Sequence, residues 1–399
     1  MRSTQELLLD DVLERGVGEV VQAEHLLRQA KRKVLRVKLG IDPTGYQLHL
    51  GHAVPLRKLR AFQDAGHQAV LIIGDFTAQI GDPTGRDVAR TSLSPEQTKK
   101  FASEYLTQAG KVLDINRVEV HYNSEWFGPM AAQDLLNLCS KFSLNQILAH
   151  DTFHQRLQKG KPVAMHEIIY PVLQGYDSVA VQADVELGGM DQKFNVLAGR
   201  DAQKIFNQDQ QDIVLLNYLR GTDGKLKMSK TAANYIALDD SSADMYGKLM
   251  SVPDALVWEY LELASTIPLS EIQQLRQQLK KKELHPKDLK AYMAKVITGL
   301  YYGTSDIEYA EQHFDDVHRK KIAPTDMPTI TLRGKEHNLL NILVSQQLAT
   351  SRTEARRLVE QGGVKIDQTT ITAWDEPVHL KNNSVLQVGK RRFVKIIIS

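Results

Sequence analysis

The pattern of apolar and polar positions changes period near residue 40. An apolar, β-branched run from Val34 to Leu39 reads as a strand. Asp42, Pro43 and Gly45 cannot continue it, so the chain turns. From Ala53 to Phe62 the residues Val54, Leu56, Leu59 and Phe62 fall at helical spacing, and Gly66 stands where a helix would be closed. Ala69 to Ile73 is a second buried-type strand. Strand, helix, strand in this order predicts a right-handed parallel unit, the start of a doubly wound α/β sheet.

The same reading places one or two helices over residues 1–33 and another from about Pro95 to Val112, with a short strand near Val118 to His121. Residues 125–160 read as helical with apolar patches (Trp126, Phe127, Leu135, Leu136, Leu138), which suits an insertion whose apolar patch is either a subunit interface or ordinary core. His166 to Val181 is expected as a helix, and Val181 to Leu187 and Ile213 to Leu216 as strands. Residues 240–325 look all-helical, with Pro253, Pro268 and Pro286 as helix starters. Residues 324–328 read as a linker. The tail carries two short helices (Leu339 to Leu348, Ser351 to Gln361) and several strands, and Ser351 with Glu354 makes a capping box.

A chain of 399 residues should form two or three domains, and 42% apolar with 25% charged residues is ordinary for a soluble globular protein. The single cysteine, Cys139, excludes a disulfide framework and a cysteine-rich zinc site, and fits a reducing, cytoplasmic compartment. No stretch has the apolar core of a signal peptide, and no run approaches the ~18 apolar residues of a membrane span. The net charge of +2 is uninformative, but its distribution is not. Residues 331–399 hold eleven Lys and Arg against six Asp and Glu. A small basic tail on a mildly acidic body suits nucleic acid, and on charge alone it suits a solvated charged face equally well. Its candidate contacts are Arg352, Arg356 and Arg357 on one helix, with Lys390 and Arg391 in a late turn.

The candidate chemistry lies in the loops that follow strands. His49-Leu50-Gly51-His52 sits where the first strand hands over to a helix. Free N–H groups and the helix dipole attract anions there. Two imidazoles can donate to phosphate, Thr44 adds a hydroxyl, and Gly51 leaves room for a flat base. After the second strand come Asp82, suited to an ammonium group, and Arg86, suited to phosphate. Tyr170, Gln174 and Asp177 share one face of the helix over 166–181 and can read an amine and a phenol. Asp191 and Gln192 open the next helix, placed for ribose hydroxyls and a carboxylate. Last, Lys227-Met228-Ser229-Lys230-Thr231 is a loop with two lysines three apart, a clamp for a leaving pyrophosphate. Each loop alone also fits a helix cap or a solvated turn; the pairing of the histidine and lysine motifs carries the reading.

With these residues on the page, the chain resembles the class I aminoacyl-tRNA synthetases. Over essentially its whole length it resembles the bacterial-type tyrosyl-tRNA synthetases of the second bacterial subgroup. His49-Leu50-Gly51-His52 is similar to the family's first nucleotide motif. Lys227 to Thr231 is similar to its second, with Thr in place of the commoner final Ser. The resemblance implies a Rossmann-like doubly wound parallel sheet as catalytic domain (1–240, with a helical insertion about 92–160). An all-helical anticodon-side domain (241–328) and a small α+β RNA-binding domain (331–399) would follow. The last is similar to a fold first known from a ribosomal small-subunit protein.

The resemblance also implies roles. Asp82, Tyr170 and Gln174 would hold the amine of L-tyrosine, Asp177 would accept from its phenol, and Gln192 would lie by its carboxylate. Thr44 and His49 would meet the phosphates, and Asp191 the ribose. Asp42, Gly51, His52, Lys227, Met228, Ser229, Lys230 and Thr231 would complete the ATP site, and Thr44, His49, His52, Arg86, Lys227 and Lys230 would carry catalysis. Lys38 stands where many members place a Tyr that contacts the phenol, and is counted with the tyrosine site. The implied partners are L-tyrosine, ATP with Mg2+ (no dedicated protein metal site), tRNA(Tyr) and a second copy of the chain. Two rivals remain from the residues: another nucleotidyltransferase with the same histidine motif, and a non-catalytic RNA-binding protein.

Overall fold

The computed structural model describes residues 12–84, 93–318, 327–332, 334, 336–389 and 392–398. The chain divides into two compact units, Met1–Gly303 and Thr304–Ser399.

The first unit is built on a six-stranded sheet: β1 (Val17–Val21), β2 (Arg36–Ile41), β3 (Gln68–Ile73), β4 (Val118–Tyr122), β5 (Val185–Gly189) and β6 (Asp212–Leu216). Its order is β1-β6-β5-β2-β3-β4. β2 to β6 pair in parallel, and β1 runs antiparallel along the free edge of β6. The all-helical expectation for residues 1–33 is therefore corrected. The described part opens in helix at residues 12–14, but the strand β1 then intervenes before the helix α1 (Ala23–Ala30). The physical reason is an edge: every residue of β6 is buried, and the β-branched Val17, Val20 and Val21 cover its open side. The sheet is thus parallel with one antiparallel edge strand, a common variant of the doubly wound form.

Between the strands lie α2 (Leu50–Asp64), α3 (Thr77–Ile80), α4 (Pro95–Ala109), α5 (Ser124–Phe127), α6 (Ala132–Cys139), α7 (Leu144–Leu148), α8 (Asp151–Gln158), α9 (Met165–Ala180) and α10 (Lys193–Ile205). Three boundaries moved. β2 runs on to Ile41 because Gly40 and Ile41 pair with Ile72 and Ile73 of β3. α2 begins at Leu50, with extended His49 as its N-cap. β5 starts only at Val185, because α9 ends at Ala180 and Gln182 turns the chain through a left-handed residue. β2 lies between β3 and β5, so the strand order reverses there. The crevice at the carboxyl ends of β2 and β5 is where such sheets hold ligands.

Between β4 and α9 the chain runs through the short helices α5 to α8, of which α6, α7 and α8 pack on Val172 of α9 through Leu138, Ile147 and Phe153. After β6 come α11 (Ser242–Ser251), α12 (Val257–Leu263), α13 (Leu269–Lys280) and α14 (Pro286–Thr298). The sequence reading set this helical stretch apart. Here it belongs to the first unit, to which Tyr302 ties it by donating to the Asp240 carbonyl and Tyr301 by accepting from Arg57.

The second unit opens with α15 (Thr304–His318) and contains β7 (Thr329–Leu332), β8 (Glu336–Asn338), α16 (Leu339–Ser345), α17 (Arg352–Glu360), β9 (Val364–Ile366), β10 (Thr369–Thr370), β11 (Pro377–His379), β12 (Val385–Val388) and β13 (Arg392–Ile398). Five strands form a sheet in the order β10-β9-β12-β13-β7, and β8 pairs with β11. Its core joins Leu339 and Leu343 of α16 to Val359 of α17 and Leu386 and Ile396 of the sheet. Residues 324–326 of the expected linker lie outside the described residues.

Candidate active site

The crevice is lined first by the loop between β2 and α2. Loop residues 46–48 are pinned by Gln108 of α4, which accepts from the Leu48 N–H at 2.6 Å and donates to the Tyr46 carbonyl at 2.7 Å. Thr44 is half-buried in the same loop. The rings of His49 and His52 lie 3.8 Å apart between centroids. His52 Nδ1 accepts from the His49 backbone N–H at 3.2 Å, which assigns the proton of a neutral ring to Nε2. His49 Nδ1 is buried with no partner among the described residues, the condition of an atom awaiting a ligand or water. A Cβ on Gly51 would come within 3.0 Å of that atom, so glycine lets the imidazole close onto the helix start.

Burial, then Lys230 and Lys227, lowers His49 to about 3. His52 is also held well below the usual imidazole range, by burial first, then by His49, Lys230 and Lys227. At neutral pH both rings are uncharged. They can donate hydrogen bonds, while the positive charge of the site comes from the lysines.

The lysine loop reaches the same place. Residues 236–238 zip against the histidine segment: Leu50 donates to the Ile236 carbonyl, and Leu238 donates to that of Leu48, each at 3.0 Å. Lys230 Nζ donates to the Gln47 carbonyl at 3.1 Å and to Tyr105 Oη at 2.9 Å. Lys227 Nζ pairs with Asp191 at 2.6 Å, joining the loop to the end of β5. Met228 is buried and its N–H donates to the Leu219 carbonyl, so it anchors the loop. Ser229 N–H donates to Asn234 Oδ1 at 2.8 Å, and Thr231 is exposed. Asn234, absent from the sequence reading, also donates to Asp223 at 3.0 Å and staples the loop base.

The α9 face forms the other wall. Tyr170 and Asp177 are buried and Gln174 is half-buried. Tyr170 donates its hydroxyl to Asp42 Oδ2 at 2.9 Å, and Thr77 donates to Asp42 Oδ1 at 2.8 Å. Asp42, assigned by the sequence to the nucleotide, thus meets the amino-acid wall. A Cβ at position 74 would lie 2.1 Å from Asp42 Oδ1 and 2.5 Å from Thr77 Oγ1, so Gly74 leaves room for that hydrogen bond. Asp82 accepts from Gln192 Nε2 at 2.8 Å and from Asn195 at 3.4 Å, so Asp82 and Gln192 do come together.

Asp177 has partners that the spacing did not reveal. Trp126 Nε1 donates to Oδ1 at 2.9 Å and Asn123 Nδ2 to Oδ2 at 3.4 Å. Burial pushes this carboxyl up to about 7, against the pull of Lys38, Trp126 and Asn123. Lys38 itself is corrected. It is 0% exposed, and its ammonium is bound by Glu186 at 2.9 Å and by Ser178 at 2.8 Å, so it is not an open contact for a phenol.

Arg86 lies outside the described residues, as do Lys390 and Arg391. In the second unit Arg352, Arg356 and Arg357 are exposed on α17, opposite its buried Ala355 and Val359. Arg356 stacks over Trp374 at 4.3 Å. Among the described residues no group of three His, Cys, Asp or Glu side chains could hold a metal ion, and no helix is long and apolar enough to cross a membrane.

The family described as "tRNA synthetases class I (W and Y)" matches residues 30–319, and "Tyrosine--tRNA ligase SYY-like C-terminal domain" matches residues 320–396. The chain is 46% identical over 386 residues to a tyrosine–tRNA ligase of Thermotoga maritima, covering 96% of each chain. It is 43% identical over 390 residues to one of Moorella thermoacetica, covering 96% of this chain and 94% of that one. Its fold is similar to that of a C-terminally truncated mitochondrial tyrosyl-tRNA synthetase of Coccidioides posadasii (TM-score 0.64, 22% identity, 78% of this chain and 92% of that one). It is also similar to that of the Archaeoglobus fulgidus tyrosyl-tRNA synthetase complexed with L-tyrosine (TM-score 0.62, 20% identity, 77% and 99%).

Proposed function

The chain belongs to the class I tRNA synthetases of the tryptophan and tyrosine group, among the tyrosine–tRNA ligases, and from that premise we propose how its own residues do the work. L-tyrosine enters against α9, its phenol hydroxyl donating to Asp177 and its ammonium meeting Asp82, Tyr170 and Gln174. Its carboxylate attacks the α-phosphorus of ATP, the bond to the β-phosphate bridge breaks, and pyrophosphate leaves. A ribose hydroxyl at the 3′ end of tRNA(Tyr) then attacks the tyrosyl carbonyl, and AMP departs. No side chain acts as nucleophile. His49, His52 and Thr44 donate to phosphate oxygens, while Lys227 and Lys230 neutralise the charge that grows on the leaving group. Asp191 and Gln192 serve the ribose and the tyrosine carboxylate. Mg2+, if carried on the triphosphate, would supply further neutralising charge beside Lys227 and Lys230.

One observation supports this most: Lys230 Nζ lies 3.1 Å from the Gln47 carbonyl, two residues before His49. Donors far apart in sequence therefore border one crevice. The exposed arginines of α17 are the proposed tRNA contacts, and the chain acts as a cytoplasmic homodimer through the exposed Leu136, Leu144 and Leu157 of the insertion. A monomeric mass by light scattering would remove the dimer. The activity is tested by ATP–pyrophosphate exchange with each of the twenty amino acids. Exchange with tyrosine alone is expected, and exchange with another amino acid, or with none, would overturn the reading.

A further inference from the structure

Lys38 sits in the middle of β2, flanked in register by Val70 of β3 and Glu186 of β5. All three of its ammonium protons are committed: to Glu186 Oε1 at 2.9 Å, Ser178 Oγ at 2.8 Å and the Gln174 carbonyl at 3.3 Å. Glu186 Oε2 in turn accepts from Ser178 at 3.0 Å and from Gln211. Both ions are at most 1% exposed. A buried ion pair is a poor source of stability, because desolvation offsets most of the attraction, so its position must be asked what else it does. The two α9 atoms that the ammonium holds, on residues 174 and 178, lie in the same helical turn as Asp177.

We propose that Lys38 is a positioning residue for side-chain recognition. It clamps the 174–178 turn from beneath and supplies the positive charge that keeps Asp177 a carboxylate, able to accept from the phenol. This deepens the tyrosine reading above and rests on it. Among the described residues the groups around Asp177 are few. Glu186 of β5 is a like charge, and Trp126 of α5 and the preceding Asn123 are neutral donors. Tyr170 lies on α9 itself, and Asp42 and Asp82, after β2 and β3, act with Asp177 on Tyr170. Val70 and Ile72 of β3 are apolar. Among the described residues, Lys38 is thus the cation that acts on Asp177, and Glu186 opposes it.

The opposition gives a test that a purely structural role would not pass. ATP–pyrophosphate exchange with tyrosine and with phenylalanine is measured from pH 6 to 9 for the full-length chain and for Lys38→Met, Lys38→Arg and Glu186→Gln. For the unaltered chain, kcat/KM for tyrosine should fall below pH of about 7 as Asp177 takes up a proton, while that for phenylalanine stays flat. Lys38→Met should move the tyrosine midpoint up by about one pH unit, Lys38→Arg should restore it, and Glu186→Gln should move it down. Shifts in the same direction, or a loss independent of pH, overturn the proposal. Should Lys38→Met fail to fold, Glu186→Gln keeps the Ser178 and Gln174 partners and decides alone. Absence of tyrosine exchange in the unaltered chain would instead sink the enzymatic reading.

Discussion

Asp177→Asn is expected to lower kcat/KM for tyrosine by about 10- to 150-fold while leaving that for phenylalanine nearly unchanged, the loss of one charge-assisted hydrogen bond of about 1.5–3 kcal/mol. The carboxylate is 4% exposed and receives Trp126 and Asn123 on its two oxygens. These donors orient it and leave its other lone pairs for the phenol. An asparagine must spend its one carbonyl on Trp126 and turn its NH2 group toward Asn123, where a donor meets a donor, and it offers the phenol no charged acceptor. The discrimination at stake is large, since a buried acceptor left unpaired rejects a substrate that lacks the hydroxyl. Sites of this kind reach a discrimination of about 10⁵ against phenylalanine. Pyrophosphate exchange with both amino acids checks it. An equal fall for the two would mean that Asp177 only supports α9.

Lys230→Ala is expected to lower kcat for exchange by about 10²–10³, or about 2.7–4 kcal/mol, the usual cost of one donor aimed at developing charge. The ammonium is held in place by Gln47 and Tyr105, which keeps it from collapsing onto a carboxylate. KM for tyrosine should barely move, because the Lys230 ammonium bonds to Gln47 and Tyr105 while the proposed tyrosine contacts are on α9. Lys227 differs: it is exposed and already paired with Asp191, so its removal should cost less in kcat. Unchanged exchange in Lys230→Ala would remove the loop from catalysis.

Much of this site is legible in the sequence because loop chemistry is local. The histidine segment, the lysine loop and the Tyr170–Asp177 face are each contiguous or fall at helical spacing, and strand–helix–strand order places them at one end of the sheet. What sequence reading misses is long-range. Asn123 and Trp126 sit just past β4, and the Trp reads as one more apolar residue of the insertion. Nothing local shows that its indole N–H points at a carboxylate 51 positions away. Gln108 is invisible for the same reason, being a polar residue whose partners are backbone groups of a distant loop, and Asn234 because its partners, Ser229 and Asp223, are fixed only by how the lysine loop folds back. β1 was missed because an edge strand answers to its neighbour. Only the exposed edge of β6 makes a strand of Val17–Val21. Lys38 shows the opposite failure: a strand lysine looks like a ligand contact until its three buried acceptors are seen.

The measurement that bears most directly on the whole account is a crystal structure of the chain with tyrosine and a non-hydrolysable ATP analogue. The account predicts one triphosphate with the imidazoles of His49 and His52 on one side and the ammonium groups of Lys227 and Lys230 on the other. A triphosphate touching one pair while the other faces solvent would contradict it.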